Sequence, residues 1–426
     1  MLVAMIPDRG RGRLLRPLDA FPLTPLGCLA LAAGWLAVRE YGRLRQDLIL
    51  YVAGYGVMAL VGLSLLLVSA TAIVLRLRWR PPTPSDERVE AGAVVATGFA
   101  LPSLWWLPFV SLRWQWLAPG GVAVRAVPDH GRLREEVVHG ERGEHDRTLR
   151  RVVVEDVLGL ARVALRLAQP AARTVLPARG RPPTAPLLQA LAGGDAVSHP
   201  LGPPDGDLVE MRRYVPGDPM KRVLWKTFAR TRALMVRLPE RAVSPTHRTL
   251  AYLVAGDGDE PAAALARVAV EAGTLGSEWR FGADGSTEDA RRAVDALLPI
   301  VRSRAARAQG GEGFGPFLAR NSEFGAGRCV LFTPGRPGPW LALVAAEVRR
   351  RPGRVEALVG IDGVRDASRA GLTRWLLRPE EADEGAPLAD EVDAVARALL
   401  AAGAVVTVID RPSGRLHGRF ARRRAA

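Results

Sequence analysis

Two short windows of this chain carry residues whose types and spacing could do chemistry. The first, Met211 to Arg237, sets Arg212, Arg213, Lys221, Arg222, Lys226 and Arg230 around Tyr214 and Trp225. Cations beside aromatic rings form the usual energetic centre of a binding surface, and they suit an acidic or phosphate-bearing partner. Of 59 lysines and arginines only Lys221 and Lys226 are lysine, and they share this window. A compositional pull toward arginine explains the rest but not that coincidence. The second window, Gly256-Asp-Gly-Asp-Glu-Pro261, offers Asp257 and Asp259 as oxygen ligands for a hard divalent cation such as Mg.

Other chemistry is excluded by count. Cys28 and Cys329 are the only cysteines, and six scattered histidines contain no i, i+4 pair. A disulfide framework, an iron–sulfur cluster and most zinc sites are therefore ruled out. No Ser–His–Asp set or pair of carboxylates stands out, so no catalytic residue is named and the chain reads as non-enzymatic. A net charge of +15 favours an anionic surface. Nucleic acid is a poor fit, because the basic window lacks several interleaved aromatics.

The elements that must position these windows begin in a membrane. Phe21 to Val38 is an 18-residue run without a charge, and Leu48 to Leu75 is another of 28. About 20 apolar residues cross a bilayer core. Residues 1–80 therefore read as a transmembrane helical hairpin, with helices at about 21–38 and 48–75. Trp79 among Arg76, Arg78 and Arg80 is the expected collar where the second helix leaves lipid. Arg9, Arg11, Arg13 and Arg16 ahead of the hairpin, with the arginines behind it, favour both ends in the cytoplasm. The expectation is a multi-pass cell-membrane protein with cytoplasmic soluble domains. A third charge-free run, Ala91 to Leu112, is interrupted by Pro102 and Pro108 and suits buried strands better than a span.

Residues 86–178 alternate short apolar pieces with glycine-rich turns and predict a β-sandwich. Residues 179–207, rich in Pro, Gly and Ala, read as a linker with one short helix at Leu187 to Leu191. Residues 208–245 hold the basic window, in which Pro216-Gly217 fits the centre of a type II turn and Val223 to Arg230 a short helix. From 246 to 426 apolar strand runs alternate with helices, as in a doubly wound parallel sheet. The helices are expected at Pro261 to Gly273, Glu288 to Arg304, Trp340 to Arg350 and Ala389 to Ala402. Gly310-Gly-Glu-Gly-Phe-Gly315 reads as a flexible loop, and Arg415 to Arg424 as a frayed basic tail with lipid headgroups as its alternative contact.

The basic window resembles the signature of the domain-of-unknown-function 58 family: R-x-Y-x-x-G-D, then R-x-I-x-W-x-x-x-A-R, then a strand ending V-R/K-E. The matching residues are Arg212, Tyr214, Gly217, Asp218, Arg222, Trp225, Lys226, Ala229 and Arg230, with Val236 and Arg237 in the strand. Lys221 replaces an arginine and Val223 an isoleucine. Arg213, Leu224 and Phe228 depart further, which unsettles any specific ion pair at Arg213. Asp156-Val-Leu-Gly-Leu160 and Val175-Leu-Pro177 are similar to punctuation of the family's upstream β domain.

The resemblance implies a von Willebrand factor A-like C-terminal domain. It also implies work beside a MoxR-type AAA+ ATPase in the assembly or maturation of complexes, with other von Willebrand factor A-like proteins as further partners. That fold often holds a divalent cation with D-x-S-x-S. Here both serines are missing and Arg336 follows the strand that begins at Cys329, so no metal or cofactor is expected. A metal-dependent hydrolase or adhesion module using Asp257 and Asp259 is the alternative. The basic window has its own alternative, which is to hold the two soluble domains together.

Overall fold

The Asp47 carboxylate accepts the backbone N–H groups of Ile49 and Leu50 at 3.0 and 3.1 Å, and so starts the longest element, α2 (Leu48–Arg78). The computed structural model describes residues 21–43, 46–81, 86–107, 109–180, 197–198, 208–215, 224–239, 242–243, 248–324, 327–351, 355–365 and 386–417. Among these residues α2 is the one helix long and apolar enough to cross a membrane. The basic N-terminal residues Arg9 to Arg16, the helix expected at Leu187 to Leu191 and the end of the basic tail lie outside the described residues.

Ahead of α2 lies α1 (Pro25–Leu36), which continues as a π-helix over Ala37–Arg43. The helix starts at residue 25, not at 21. Proline has no N–H to give and sits comfortably only in a first turn, and Thr24 Oγ1 accepts the Gly27 N–H at 3.0 Å as the cap. The two helices approach closely because Gly34 meets Gly54. A Cβ on Gly54 would lie 2.8 Å from the Gly34 carbonyl oxygen.

Val61, Ser64, Val68, Ala72 and Leu75 recur every three or four residues and form one buried stripe on the second half of α2. Val68, Ala72 and Leu75 share a core with Phe99, Leu101, Val110, Val152, Val154, Ala161 and Leu167. Residues up to Leu176 therefore form one compact unit. Trp79 is half-buried against the same core, while Ile73, Val74 and Leu77 of the turns that precede it stay exposed.

The strands of this unit form two sheets. One, in the order β1-β7-β6-β3, comprises β1 (Asp86–Glu90), β3 (Val110–Ala118), β6 (Gly143–Asp156) and β7 (Arg162–Leu176). The other, β2-β5-β4, comprises β2 (Val94–Pro102), β4 (Val122–Asp129) and β5 (Arg132–His139). Ala91 to Leu112 thus supplies two strands rather than a third span. At the β4–β5 turn His130 and Gly131 both take positive φ, 43° and 77°, as a two-residue connection with native twist requires.

A charged cluster is sealed inside these strands. Arg150 is 1% exposed and its guanidinium meets the Glu135 carboxylate at 2.6–3.0 Å. Glu135 also accepts from Thr97, Trp114 Nε1 and Trp116 Nε1, while Arg150 donates to Gln169 and lies over the Phe99 ring. Every strong charge in the cluster has a partner, which is the condition for burying it at all.

The second unit begins at Pro177. Short pairs come first. β8 (Val197–Ser198) pairs with β11 (Ala242–Val243), and β9 (Leu208–Arg213) with β10 (Met235–Pro239). A six-stranded sheet follows in the order β13-β12-β14-β15-β16-β17. It consists of β12 (Arg248–Leu253), β13 (Glu278–Ala283), β14 (Arg328–Pro334), β15 (Val355–Ile361), β16 (Val405–Asp410) and β17 (Arg415–Leu416). All neighbours are parallel except β16 and β17. Arg415 is therefore in an edge strand rather than a frayed tail.

Side-chain alternation splits the core in two. Ala251 and Leu253 pack with Ala262, Leu265 and Ala269 of α4 (Glu260–Glu271) and Ile300 of α5 (Ala293–Arg302). Leu250, Tyr252 and Val254 pack with Phe317 of α6 (Phe314–Arg320), Val344 of α7 (Pro339–Arg349) and Val395 of α8 (Ala389–Ala401). The helix expected from Glu288 starts five residues late. Ala290 instead exchanges two backbone hydrogen bonds with Phe281, at 2.8 and 2.9 Å, which holds that stretch extended against β13.

Candidate functional site

The basic window is built on the β9–β10 pair. Arg212 faces Val236 across the ladder, and Val236 is fully buried. The Tyr214 N–H donates to the Leu234 carbonyl at 2.9 Å, and the Leu224 N–H to the Met235 carbonyl at 2.9 Å. Tyr214 and Leu224 are thus both held where β10 begins, on Leu234 just ahead of it and on Met235, its first residue. Gly217, Asp218, Lys221 and Arg222, with the turn expected at Pro216-Gly217, lie outside the described residues.

After Leu224 the chain forms α3 (Trp225–Thr231), which ends where Arg232 turns left-handed at φ 56°. No residue of α3 is buried. Trp225 is 54% exposed and makes an edge contact with Phe228, ring centroids 6.3 Å apart. Lys226, Ala229 and Arg230 are exposed beside it, while Arg212 and Tyr214 are half-buried. The structure therefore brings Trp225, Lys226, Ala229 and Arg230 onto one short solvated helix hung from the strand pair that carries Arg212. Phe228 extends the aromatic surface, and its i, i+3 spacing from Trp225 was the available signal.

The acidic loop is organised differently. Asp257 is exposed, whereas the Asp259 side chain is completely buried. Asp259 accepts the Gly256 N–H at 3.2 Å and two guanidinium nitrogens of Arg307 at 2.7 and 3.0 Å; Arg307 also reaches Glu260 at 3.3 Å. A cation thus already faces this carboxylate, and it belongs to the chain. Among the described residues no group of three His, Cys, Asp or Glu side chains is placed to hold a metal. Nothing in the sequence around Arg307 marked it for this role.

Asp284, also missed, anchors the neighbouring loop. It accepts from Tyr252 Oη at 2.7 Å and from the backbone N–H groups of Ala255, Gly311 and Gly313 at 2.8, 2.7 and 3.3 Å. Burial pushes its carboxyl up, and these donors pull it back. The glycine run 310–315 is accordingly packed, not flexible. A Cβ on Gly310 would fall 2.1 Å from the Ala255 carbonyl oxygen, so only glycine fits. Its amides do what a phosphate loop's would do, but for a carboxylate of the same chain.

Comparison of the chain with protein-family models, with curated proteins and with solved structures finds no match.

Proposed function

We propose that this chain is a non-enzymatic, membrane-anchored interaction protein that docks a MoxR-type AAA+ ATPase through α3 and the β9–β10 pair. In this reading α1 and α2 form a two-pass hairpin, the two sheets of the first unit are a β-sandwich, and the six-stranded sheet is the core of a von Willebrand factor A-like domain. The soluble parts lie in the cytoplasm and serve assembly or maturation of other complexes.

The observation that carries the reading is the exposure of α3. A helix that buries none of its residues draws little stability from packing, yet it sets a tryptophan, a lysine and an arginine in water beside a half-buried phenylalanine. Such a patch is what a partner's acidic and apolar surface would cover. The likeness of Arg212, Tyr214, Trp225, Lys226, Ala229 and Arg230 to the family signature supports the choice of partner. The metal-dependent alternative is weakened by the Arg307–Asp259 pair, which occupies the buried carboxylate.

Detergent-solubilised full chain mixed with the MoxR-type ATPase of the same organism tests it. Binding that falls at least tenfold in Trp225→Ala/Arg230→Ala, with the unfolding midpoint unchanged, is the expected result. A parent chain that does not bind, or a double variant that binds equally well, would overturn the reading.

A further inference from the structure

The 156–160 turn of the first unit is clamped between both helices. Ser64 Oγ, midway along α2, donates to Asp156 Oδ2 at 3.4 Å, and Asp156 Oδ1 accepts the Ala161 N–H at 2.7 Å. Thr24, the cap of α1, donates its N–H to the Leu160 carbonyl at 3.1 Å and its Oγ1 to the Gly159 carbonyl at 2.5 Å. A Cβ on Gly27 would stand 2.0 Å from the Leu160 carbonyl oxygen, so α1 passes hard against this turn. The turn therefore sits at the level of Thr24 on one helix and Ser64 on the other.

That level is too shallow for a bilayer to end at it. From Leu48 to Ser64 the helix rises about 24 Å, while a hydrocarbon core is about 30 Å thick. The missing slice falls on the end of the unit that carries the turn. There a loop over Ser103 to Leu107 turns Leu104 and Leu107 toward the core and leaves Trp105 and Trp106 outside, 78% and 64% exposed. Phe109, Val157 and Leu158 are exposed with them, and the Phe109 carbonyl accepts the Val157 N–H at 3.0 Å, which ties the loop to the turn. The β4–β5 turn closes the same end, since the Ser103 N–H donates to the Gly131 carbonyl at 2.9 Å. Exposed Arg132 and Arg162 flank the apolar residues, with Asp129 held by Arg134.

We propose that Trp105, Trp106, Phe109, Val157 and Leu158 insert into the headgroup–acyl boundary of the bilayer that α2 crosses, so that the first unit rests on the membrane at a fixed depth. Tryptophan at an interface and arginine just above it is the arrangement that lipid favours. The outer face of the far half of α2 also exposes Leu66, Ile73 and Leu77. Lipid could follow it only by immersing arginines of β6 and β7, the strands packed behind that half, among them exposed Arg166. The proposal rests on α2 spanning the membrane, and the experiment keeps the two apart.

Full chain with Cys28→Ala carries a single bimane label at Trp106→Cys, Leu77→Cys or Gly120→Cys, and is reconstituted into phosphatidylcholine–phosphatidylglycerol vesicles with nitroxide on the acyl chain. Gly120 is exposed at the opposite end of β3, with open space around it. Resistance of each protein to alkaline carbonate extraction reports whether α2 spans. In extraction-resistant protein, quenching at position 106 at least threefold above that at 77 and 120 is expected. Equal quenching at 106 and 120, or stronger quenching at 77 than at 106, would overturn the proposal while leaving the span intact. Full extraction by carbonate would overturn both. A Leu158→Cys label repeats the measurement should the tryptophan variant fail to fold, with the same two outcomes.

Discussion

The guanidinium of Arg307 closes on the buried carboxylate of Asp259 at 2.7 Å, just beyond the carboxyl end of β12. Position in an open parallel sheet marks this as the place where ligands usually bind. Here an arginine of the chain itself holds the buried carboxylate.

Removing Arg307 should therefore destabilise the second unit. Arg307→Met leaves a wholly buried carboxylate without its cation, at a cost of about 3 kcal/mol. Urea unfolding is the measurement, and Asp259→Asn in the same chain should restore part of the loss. An unchanged midpoint in the single variant would mean that the pair contributes nothing.

Glu135→Gln should injure the first unit in the same way. Arg150 would stay buried with its charge uncompensated, again about 3–5 kcal/mol, and two tryptophan N–H groups would lose their strong acceptor. Tryptophan near-ultraviolet dichroism would register the loosening at Trp114 and Trp116.

His139 gives the first unit an acid-sensitive step. Burial, with the Arg173 charge and His145 nearby, pushes its imidazole down to about 4. The unfolded chain takes up this proton below about 6.5 and the folded one does not, so stability falls as pH drops from about 6.5 toward 4 and then levels. His139→Gln should flatten that slope; an identical slope in the variant would assign it elsewhere.

Cys329 should be inert in the native protein. Burial pushes its thiol up to about 12, and the side chain lies inside β14. In the Cys28→Ala background, iodoacetamide at pH 8 should label nothing until denaturant opens the sheet. Prompt labelling of native protein would mean that this sheet opens freely.

The second unit was legible because its strands are continuous apolar runs, such as Cys329 to Thr333, set between helices with a core stripe. Parallel sheets buried on both faces leave that trace. Arg150 and Glu135 were not legible. A charged residue in an alternating strand reads as its wet face, and only the fold reveals that the wet face was turned inward onto a partner. The glycines at 310–315 were visible, but the carboxylate that they serve lies at Asp284, remote in sequence. In the basic window the helix at Trp225 was expected from its spacing. That it buries none of its residues was not, because a tryptophan near alanine reads equally well as core.

One consequence follows from the continuity of α2. The same unbroken rod, about 46 Å long, belongs at one end to the apolar segment beside α1 and at the other to the core around Val154 and Leu167. No hinge separates the two roles. A tug on the strands of the first unit would pass to the apolar segment as through a shaft rather than a tether.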